Sequence, residues 1–356
     1  MLHYILRRLI LIPITLFGIM LINFVIIQFA PGGPVEQAIA QFTGLSMSTT
    51  ASISTAESMG PSNESGYEGG SGLDPAFIEK IEKHFGFDKP PHERFFLMLK
   101  SYAMLDFGTS YYQDRPVIEI IAERLPVSIS LGLCSMFLIY TISVPLGIAK
   151  AVRDGSKFDI YTSGVIFTAY AIPQFLFAII FIVFLAGGEW LNLFPMRNLT
   201  SDGFVDMPFW DQLSDLLWHL VLPVIALALG GFATLTMLTK NCFLEELSKQ
   251  FVLTARAKGL KETRVLFGHV FRNAMLIIIA GFPAAFIGIL FTGALLIEVI
   301  FSIDGIGLLG YEAVVVRDYP ILFATLFVFS LVGLFLQLVG DMMYVIVDPR
   351  IDFERR

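Results

Sequence analysis

Apolar residues gather along this chain in runs that match the thickness of a bilayer. Six stretches stand out: Leu9–Ala30, Val127–Ile148, Ile160–Ala186, Leu220–Thr239, Met275–Val299 and Ile321–Val347. At 1.5 Å of rise per residue, about 20 apolar residues cover the hydrocarbon core, so each run predicts one membrane-crossing helix. The longest polar stretch separates the first two runs and extends from Pro31 to about Pro126. Its early part, Ser46 to Gly72, is rich in Ser, Gly and Thr, cannot bury a core, and predicts a flexible insert over about 46–72. Asp74–Ile81 reads as an N-capped amphipathic helix with Pro75 at its first position, and His92–Met104 reads as another. The pattern divides the chain into an N-terminus with its first span (1–30), a small external domain (31–126), a core of five spans (127–347) and a tail (348–356). No internal repeat is evident, which leaves an inverted-repeat secondary transporter without support.

Composition agrees with a membrane-embedded, all-α chain of six spans. Of 356 residues, 55% are hydrophobic and 15% charged, against about 25% charged in a soluble domain. The charges are sorted by connection. Arg7 and Arg8 precede the first run, Lys150, Arg153 and Lys157 follow the second, and Arg350, Arg355 and Arg356 close the tail. The stretch Lys240–Arg272 carries seven basic residues against Glu245, Glu246 and Glu262. The intervening connections are acidic, with Asp202, Asp206, Asp211 and Asp215 in one and Asp304, Glu312 and Asp318 in the other. That alternation predicts both termini in the cytoplasm. The first run, long and without a small-x-small cleavage site, is expected to be a retained anchor. No basic surface lies outside the cytoplasmic connections, which argues against nucleic-acid binding.

Catalytic chemistry is missing from the pattern. The chain has no GxxxxGK[ST] phosphate loop, no GxSxG and no HExxH. Its histidines, His3, His84, His92, His219 and His269, nowhere lie at i, i+4 spacing, so no metal site is expected. Cys134 and Cys242 are read as reduced packing residues. Two acids fall inside spans, Glu298 and Asp341. Intramembrane carboxylates are functional candidates by default, although each can also reach an interface or cap a neighbouring helix. Pro145, Pro173, Pro223 and Pro283 predict kinks or breaks within or at the edges of spans.

The polar stretch 240–274 is the most distinctive segment. At its centre, Thr254-Ala255-Arg256-Ala257-Lys258-Gly259 joins small residues, two cations and a glycine at which a helix ends. Alanines permit close approach, Arg256 and Lys258 can pair with acidic groups, and Gly259 releases the chain from the helix.

These residues resemble the membrane subunits of the dipeptide/oligopeptide family of ABC importers. The resemblance runs from Arg7-Arg8-Leu9 and Ala30-Pro31-Gly32-Gly33-Pro34 through Gly86-Phe87-Asp88-Lys89-Pro90, Asp106-Phe107-Gly108-Thr109-Ser110 and Glu123-Arg124-Leu125-Pro126. It ends at Arg317-Asp318-Tyr319-Pro320 and Asp348-Pro349-Arg350. The long insert, Gly231-Phe232-Ala233 and Tyr311-Glu312-Ala313 are most similar to the Yej-type branch, which takes up oligopeptides and peptide antibiotics of the microcin C kind.

The resemblance implies a type I importer permease fold in a bacterial inner membrane, with a small periplasmic domain between helices 1 and 2. It implies no catalytic residue and no bound cofactor on this chain, with ATP and Mg held by partner ATPases. The partners it implies are a second homologous permease, cytoplasmic ABC ATPase domains, a periplasmic peptide-binding protein, the peptide substrate and the lipid bilayer. It also implies that Glu245, Thr254, Ala255, Arg256, Ala257, Lys258 and Gly259 form the ATPase-coupling segment. Aligned on Gly259, the family's E-A-A-x-x-x-G motif falls on Leu253, Thr254 and Ala255, and Ile277 stands where many relatives carry proline. Related permeases for nickel chelates or glutathione share these features.

Overall fold

The computed structural model describes residues 2–29, 89–187, 191–290 and 294–347. The expected helix at Asp74–Ile81, the insert at 46–72, most of the expected external domain and the tail lie outside the described residues. The chain resolves into two compact units, Met1–Ile10 with Glu119–Glu312 and Val328–Arg356, and Leu11–Ile118 with Ala313–Phe327.

Among the described residues the regular secondary structure is helical, apart from an isolated bridge between Thr109 and Pro116. In chain order the helices are α1 (Leu2–Phe29), α2 (Pro91–Ala103), α3 (Val117–Val152), α4 (Lys157–Ala171) and α5 (Gln174–Phe181). They continue with α6 (Phe209–Leu247), α7 (Gln250–Ala257), α8 (Glu262–Val265), α9 (Phe271–Ala280) and α10 (Phe282–Gly288). The series closes with α11 (Ala294–Phe301), α12 (Ile306–Val316) and α13 (Tyr319–Val347). Helix α2 begins at a proline and coincides with the helix expected at His92–Met104.

Among the described residues, five helical segments are long and apolar enough to cross a bilayer: Leu6–Ile26, Val117–Val152, Phe209–Leu247, Glu262–Gly288 and Tyr319–Met343. Two further pairs are bent, α4 with the stretch Gln174–Ala186 by 88° and α11 with α12 by 81°, so the total reaches seven if each pair is one span. The expected third span, Ile160–Ala186, is therefore broken. The cause is local: Pro173 disfavours helical backbone at the residue before it, and Ile172 is extended, with φ −88° and ψ 124°. By contrast, Pro145 and Pro223 lie inside continuous helices α3 and α6. The expected fifth span, Met275–Val299, combines the end of one crossing segment with α11.

In the first unit, α6 is the central post. Over 39 residues it reaches about 58 Å, well beyond the roughly 30 Å hydrocarbon core. Leu222, Ala226 and Leu227 of α6 pack with Leu131 of α3, Ala178 of α5 and Ile297 of α11 in one buried cluster. Helix α3 meets α6 closely at Gly147, where a Cβ would lie 2.6 Å from Thr239 Cβ and 2.8 Å from the Thr236 carbonyl. Only glycine permits that approach.

In the second unit, Phe17 and Phe24 of α1 meet Phe95 of α2 edge-on at 5.5 and 5.3 Å. Tyr102, Phe107 and Phe327 form an aromatic trio with centroids 4.9 to 5.7 Å apart.

Candidate functional site

The basic stretch is shorter as a connection than its charge suggested. Helix α6 runs to Leu247 and the next crossing segment begins at Glu262, leaving 248–261 as the link in place of 240–274. Helix α7 occupies its centre. Lys258 ends α7, and Gly259 turns the chain with φ +77°, a left-handed conformation that glycine adopts without a Cβ penalty.

Helix α7 has two faces. Val252 and Ala255 are buried and join Cys242 and Phe243 of α6, Ile148 and Ala151 of α3, Val265 of α8 and Val270 in one apolar cluster. Burying a valine side chain fully contributes about 1.5–3 kcal/mol, so this underside fixes the short helix to the body. Leu253, Thr254, Arg256, Ala257, Lys258 and Gly259 are exposed. Ala255 packs into its own chain, where close approach to a partner was expected of both alanines; of the two, Ala257 is the exposed one. Arg256 is engaged as well: its Nε and Nη2 donate to the two carboxylate oxygens of Glu262 at 2.9 and 3.0 Å. Glu245, on α6, is exposed and lies 3.5 Å from Lys249 Nζ. A hydrogen bond to Glu246 raises the Lys249 ammonium above its ordinary pKa, so it stays charged.

The two intramembrane acids have structural partners. Glu298 of α11 is fully buried. Its Oε1 accepts from Ser128 Oγ at 2.6 Å and its Oε2 from the Leu308 N–H at 2.9 Å, while Ser128 Oγ accepts from the Ile306 N–H at 2.8 Å. The carboxylate caps the first turn of α12, where the helix dipole favours negative charge and the leading N–H groups need acceptors. Nearby, Arg124 pairs with Asp304 at 3.1 Å in the turn before α12. Asp341 of α13 pairs with Arg8 of α1 at 2.8 Å.

A third charged group, absent from the sequence reading as a site, lies at the end of the bundle that carries the link. Lys150 in the last turn of α3 is wholly buried. Its Nζ donates to the Asp159 carbonyl at 2.9 Å, Thr162 Oγ1 at 2.9 Å and Ser163 Oγ at 2.7 Å. It also lies 2.9 Å from Asp159 Oδ1. Lys240 of α6 reaches the other oxygen, Asp159 Oδ2, at 2.7 Å, and Asp154 Oδ1 at 2.7 Å. Asp159 stands in the first turn of α4, whose N-cap Ser156 accepts from the Asp159 N–H. One carboxylate therefore bridges two buried lysines from two other helices. The local signals were the Ser156-x-x-Asp159 cap and lysines lying flush against apolar runs.

In the second unit, two of the quoted motifs meet. Ser110 Oγ donates to Asp318 Oδ2 at 2.5 Å, both side chains buried, across 208 positions. Asp106 Oδ1 accepts from the Gly108 N–H at 3.1 Å and closes the turn that presents Ser110. Burial, with the Asp318 charge nearby, pushes the Tyr111 phenol above its usual range.

Comparisons with known proteins point one way. The family model described as "Binding-protein-dependent transport system inner membrane component" matches residues 143–353. The chain is 57% identical to the peptidoglycan transport system permease protein YejB of Agrobacterium fabrum (strain C58), over 99% of each chain. It is 54% identical to the inner membrane ABC transporter permease protein YejB of Escherichia coli O157:H7, again over 99% of each. The oligopeptide transport system permease protein AppB of Bacillus subtilis (strain 168) is 34% identical over 98% of this chain and 99% of its own. Among solved structures, a chain of the MetNI methionine ABC transporter, in inward-facing conformations, superposes with a TM-score of 0.51 at 14% identity. That match covers 65% of this chain and 97% of the other, and it speaks for the fold alone.

Proposed function

The chain belongs to the family of binding-protein-dependent transport system inner membrane components, and from that membership we propose that it is the conduit subunit of an ATP-driven oligopeptide importer. It is a multi-pass inner-membrane protein with the type I importer permease fold. Relatives named for oligopeptide, dipeptide and peptidoglycan transport support a peptide substrate, and the resemblance to the Yej-type branch extends the proposal to peptide antibiotics of the microcin C kind. A second homologous permease would complete the pathway. A periplasmic binding protein would deliver the peptide, and cytoplasmic ATPases would hold ATP and Mg and carry out hydrolysis. The residues from 31 to 126 would form the periplasmic domain that receives the binding protein.

The observation that carries the coupling role is the two-faced α7. A short helix is anchored by Val252 and Ala255 and shows Thr254, Arg256, Ala257 and Lys258 outward. Such a helix can transmit a push, because its underside is packed and its outer side is free of neighbouring apolar chain. Closure of the ATPase pair would press on α7, and the displacement would open the spans toward the binding protein. Separation of the ATPases would reverse it and release peptide inward. Lys258 is the cation best placed to meet an acidic partner surface, since the Arg256 guanidinium is shared with Glu262.

Arg256→Glu combined with Lys258→Glu tests this in the assembled transporter. The expected result is weaker ATPase association and at least a tenfold loss of peptide-stimulated ATP hydrolysis. Wild-type association and stimulation together would refute the docking role.

A further inference from the structure

The cluster of Lys150, Asp159 and Lys240 lies directly behind the docking helix. Ala151 follows Lys150, and Cys242 and Phe243 follow Lys240 within one turn. Those three side chains belong to the apolar cluster on which Val252 and Ala255 of α7 rest. A displacement of α7 therefore loads the ends of α3 and α6 at the residues next to the two lysines.

The lysines pass that load to a single group on a third helix. Asp159 Oδ1 faces Lys150 and Oδ2 faces Lys240, so α3, α4 and α6 cannot slide past one another here without parting an ion pair. Three further acceptors hold Lys150 in place: the Asp159 carbonyl, Thr162 and Ser163. The contact is dry. Lys150 is fully buried, and the Asp159 and Lys240 side chains are only 8% and 11% exposed, so salt screens it far less than the surface pair Arg256–Glu262. Gly147 brings α3 against Thr236 and Thr239 of α6 one turn away, which leaves little free play between those two helices.

Helix α4 then leads into the membrane. Beyond Asp159 its face carries Ile160, Tyr161, Val165 and Thr168, which with Phe177 of α5 line an open groove of about 670 Å³. Motion of the α4 N-terminus would reshape that groove.

We propose that Lys150, Asp159 and Lys240 are positioning residues forming a transmission joint, which makes α4 follow the docking helix during the transport cycle. Their task is to convert movement at the ATPase contact into movement of the groove-lining helix α4. The inference rests on the docking assignment of α7 and extends it inward.

The test is Lys240→Met in the transporter assembled with its ATPases and binding protein and reconstituted in liposomes. This variant leaves the Lys150–Asp159 pair intact and its charge balanced, while half-exposed Asp154 turns to water. The readout is peptide imported per ATP hydrolysed, with a radiolabelled random tripeptide mixture as the probe. The expected result is at least a tenfold fall in that ratio with subunit association unchanged, and recovery to within about twofold in Lys240→Arg, which restores the charge and its reach. An unchanged ratio in assembled Lys240→Met overturns the joint. Failure of Lys240→Arg to recover the ratio also overturns it, because the charged tie would then not be the cause. Should Lys240→Met not assemble, Lys240→Gln is read in the same way, and failure of both to assemble identifies a folding element and overturns the proposal. Loss of ATPase association in Arg256→Glu/Lys258→Glu tests docking separately, so the two readings fail independently.

Discussion

Two groups of charges sit at the same end of this permease and behave in opposite ways. In the proposed docking segment, Arg256 and Glu262 meet with good geometry, yet their side chains are 42% and 71% exposed. Behind it, Lys150, Asp159 and Lys240 make contacts of similar length in a largely buried site. Equal distances do not mean equal energies. An exposed pair contributes about 0–1 kcal/mol because water competes for both partners. Each charge in the buried group has given up most of its hydration, so leaving one of them without an opposite charge is costly. The exposed charges are free to exchange partners with another protein, whereas the buried ones tie the helices of this chain together.

The largest expected effect comes from Asp159→Asn. It leaves two buried lysines with half-exposed Asp154 as the remaining carboxylate of the group, and removing one partner of a buried pair typically costs about 3–5 kcal/mol. Purified in detergent, this variant should lose a large part of its thermal stability and accumulate poorly in membranes. Lys240→Met should be milder, since Lys150 and Asp159 still neutralise one another. If the two variants melted alike, the cluster would not be acting as a charge-balanced unit, and the contrast with the docking face would collapse.

The sequence displayed both groups as one signal. Lys150 and Lys240 were counted with the basic connections that set sidedness, and for sidedness the count is informative. The positive-inside rule reports which side of the membrane a charge occupies; it does not report whether water reaches it. Lys150 is buried because Gly147 brings α3 against α6 one turn earlier, a contact between residues nearly a hundred positions apart. The helical class, the apolar runs and the helix at Pro91–Ala103 were legible because they depend on local pattern. The course of each span was less so, since hydropathy registers the length of an apolar run and not its direction. The 88° break at Pro173 and the 81° turn before α12 each leave the run apolar while redirecting it. Glu298 was legible as an acid in an apolar run and as a possible helix cap; Ser128 and the N–H groups of α12 as its partners were not, because they come from another helix and from across the turn.

Ala255 and Ala257 sharpen the comparison on a finer scale, two positions apart on one short helix. Ala255 is 7% exposed and packs toward α3 and α6, whereas Ala257 faces outward. Ala255→Leu should overpack the underside, cost about 1–3 kcal/mol locally, and speed hydrogen exchange through residues 250–257. Ala257→Leu should leave stability within about 0.5 kcal/mol of wild type and act only on association with the ATPase. Equal destabilisation by both would mean that α7 has no distinct docking face.

The smallest expected effect is that of Arg256→Ala. The guanidinium is shared with Glu262 inside the chain, and an exposed pair of this kind is worth under about 1 kcal/mol, so the melting temperature should barely move. What should change is the salt dependence of ATPase association. If Arg256 releases Glu262 to meet an acidic group on the partner, its removal weakens binding at low ionic strength and flattens the salt response, because screening acts chiefly on exposed charges. If Arg256 stays with Glu262 in the complex, association at every salt concentration should match wild type, and the contact would rest on Lys258. Titrating association against salt for Arg256→Ala and Lys258→Ala in parallel decides which cation reaches the partner. It also decides whether the in-chain pair is a resting state of the docking surface or a permanent part of it.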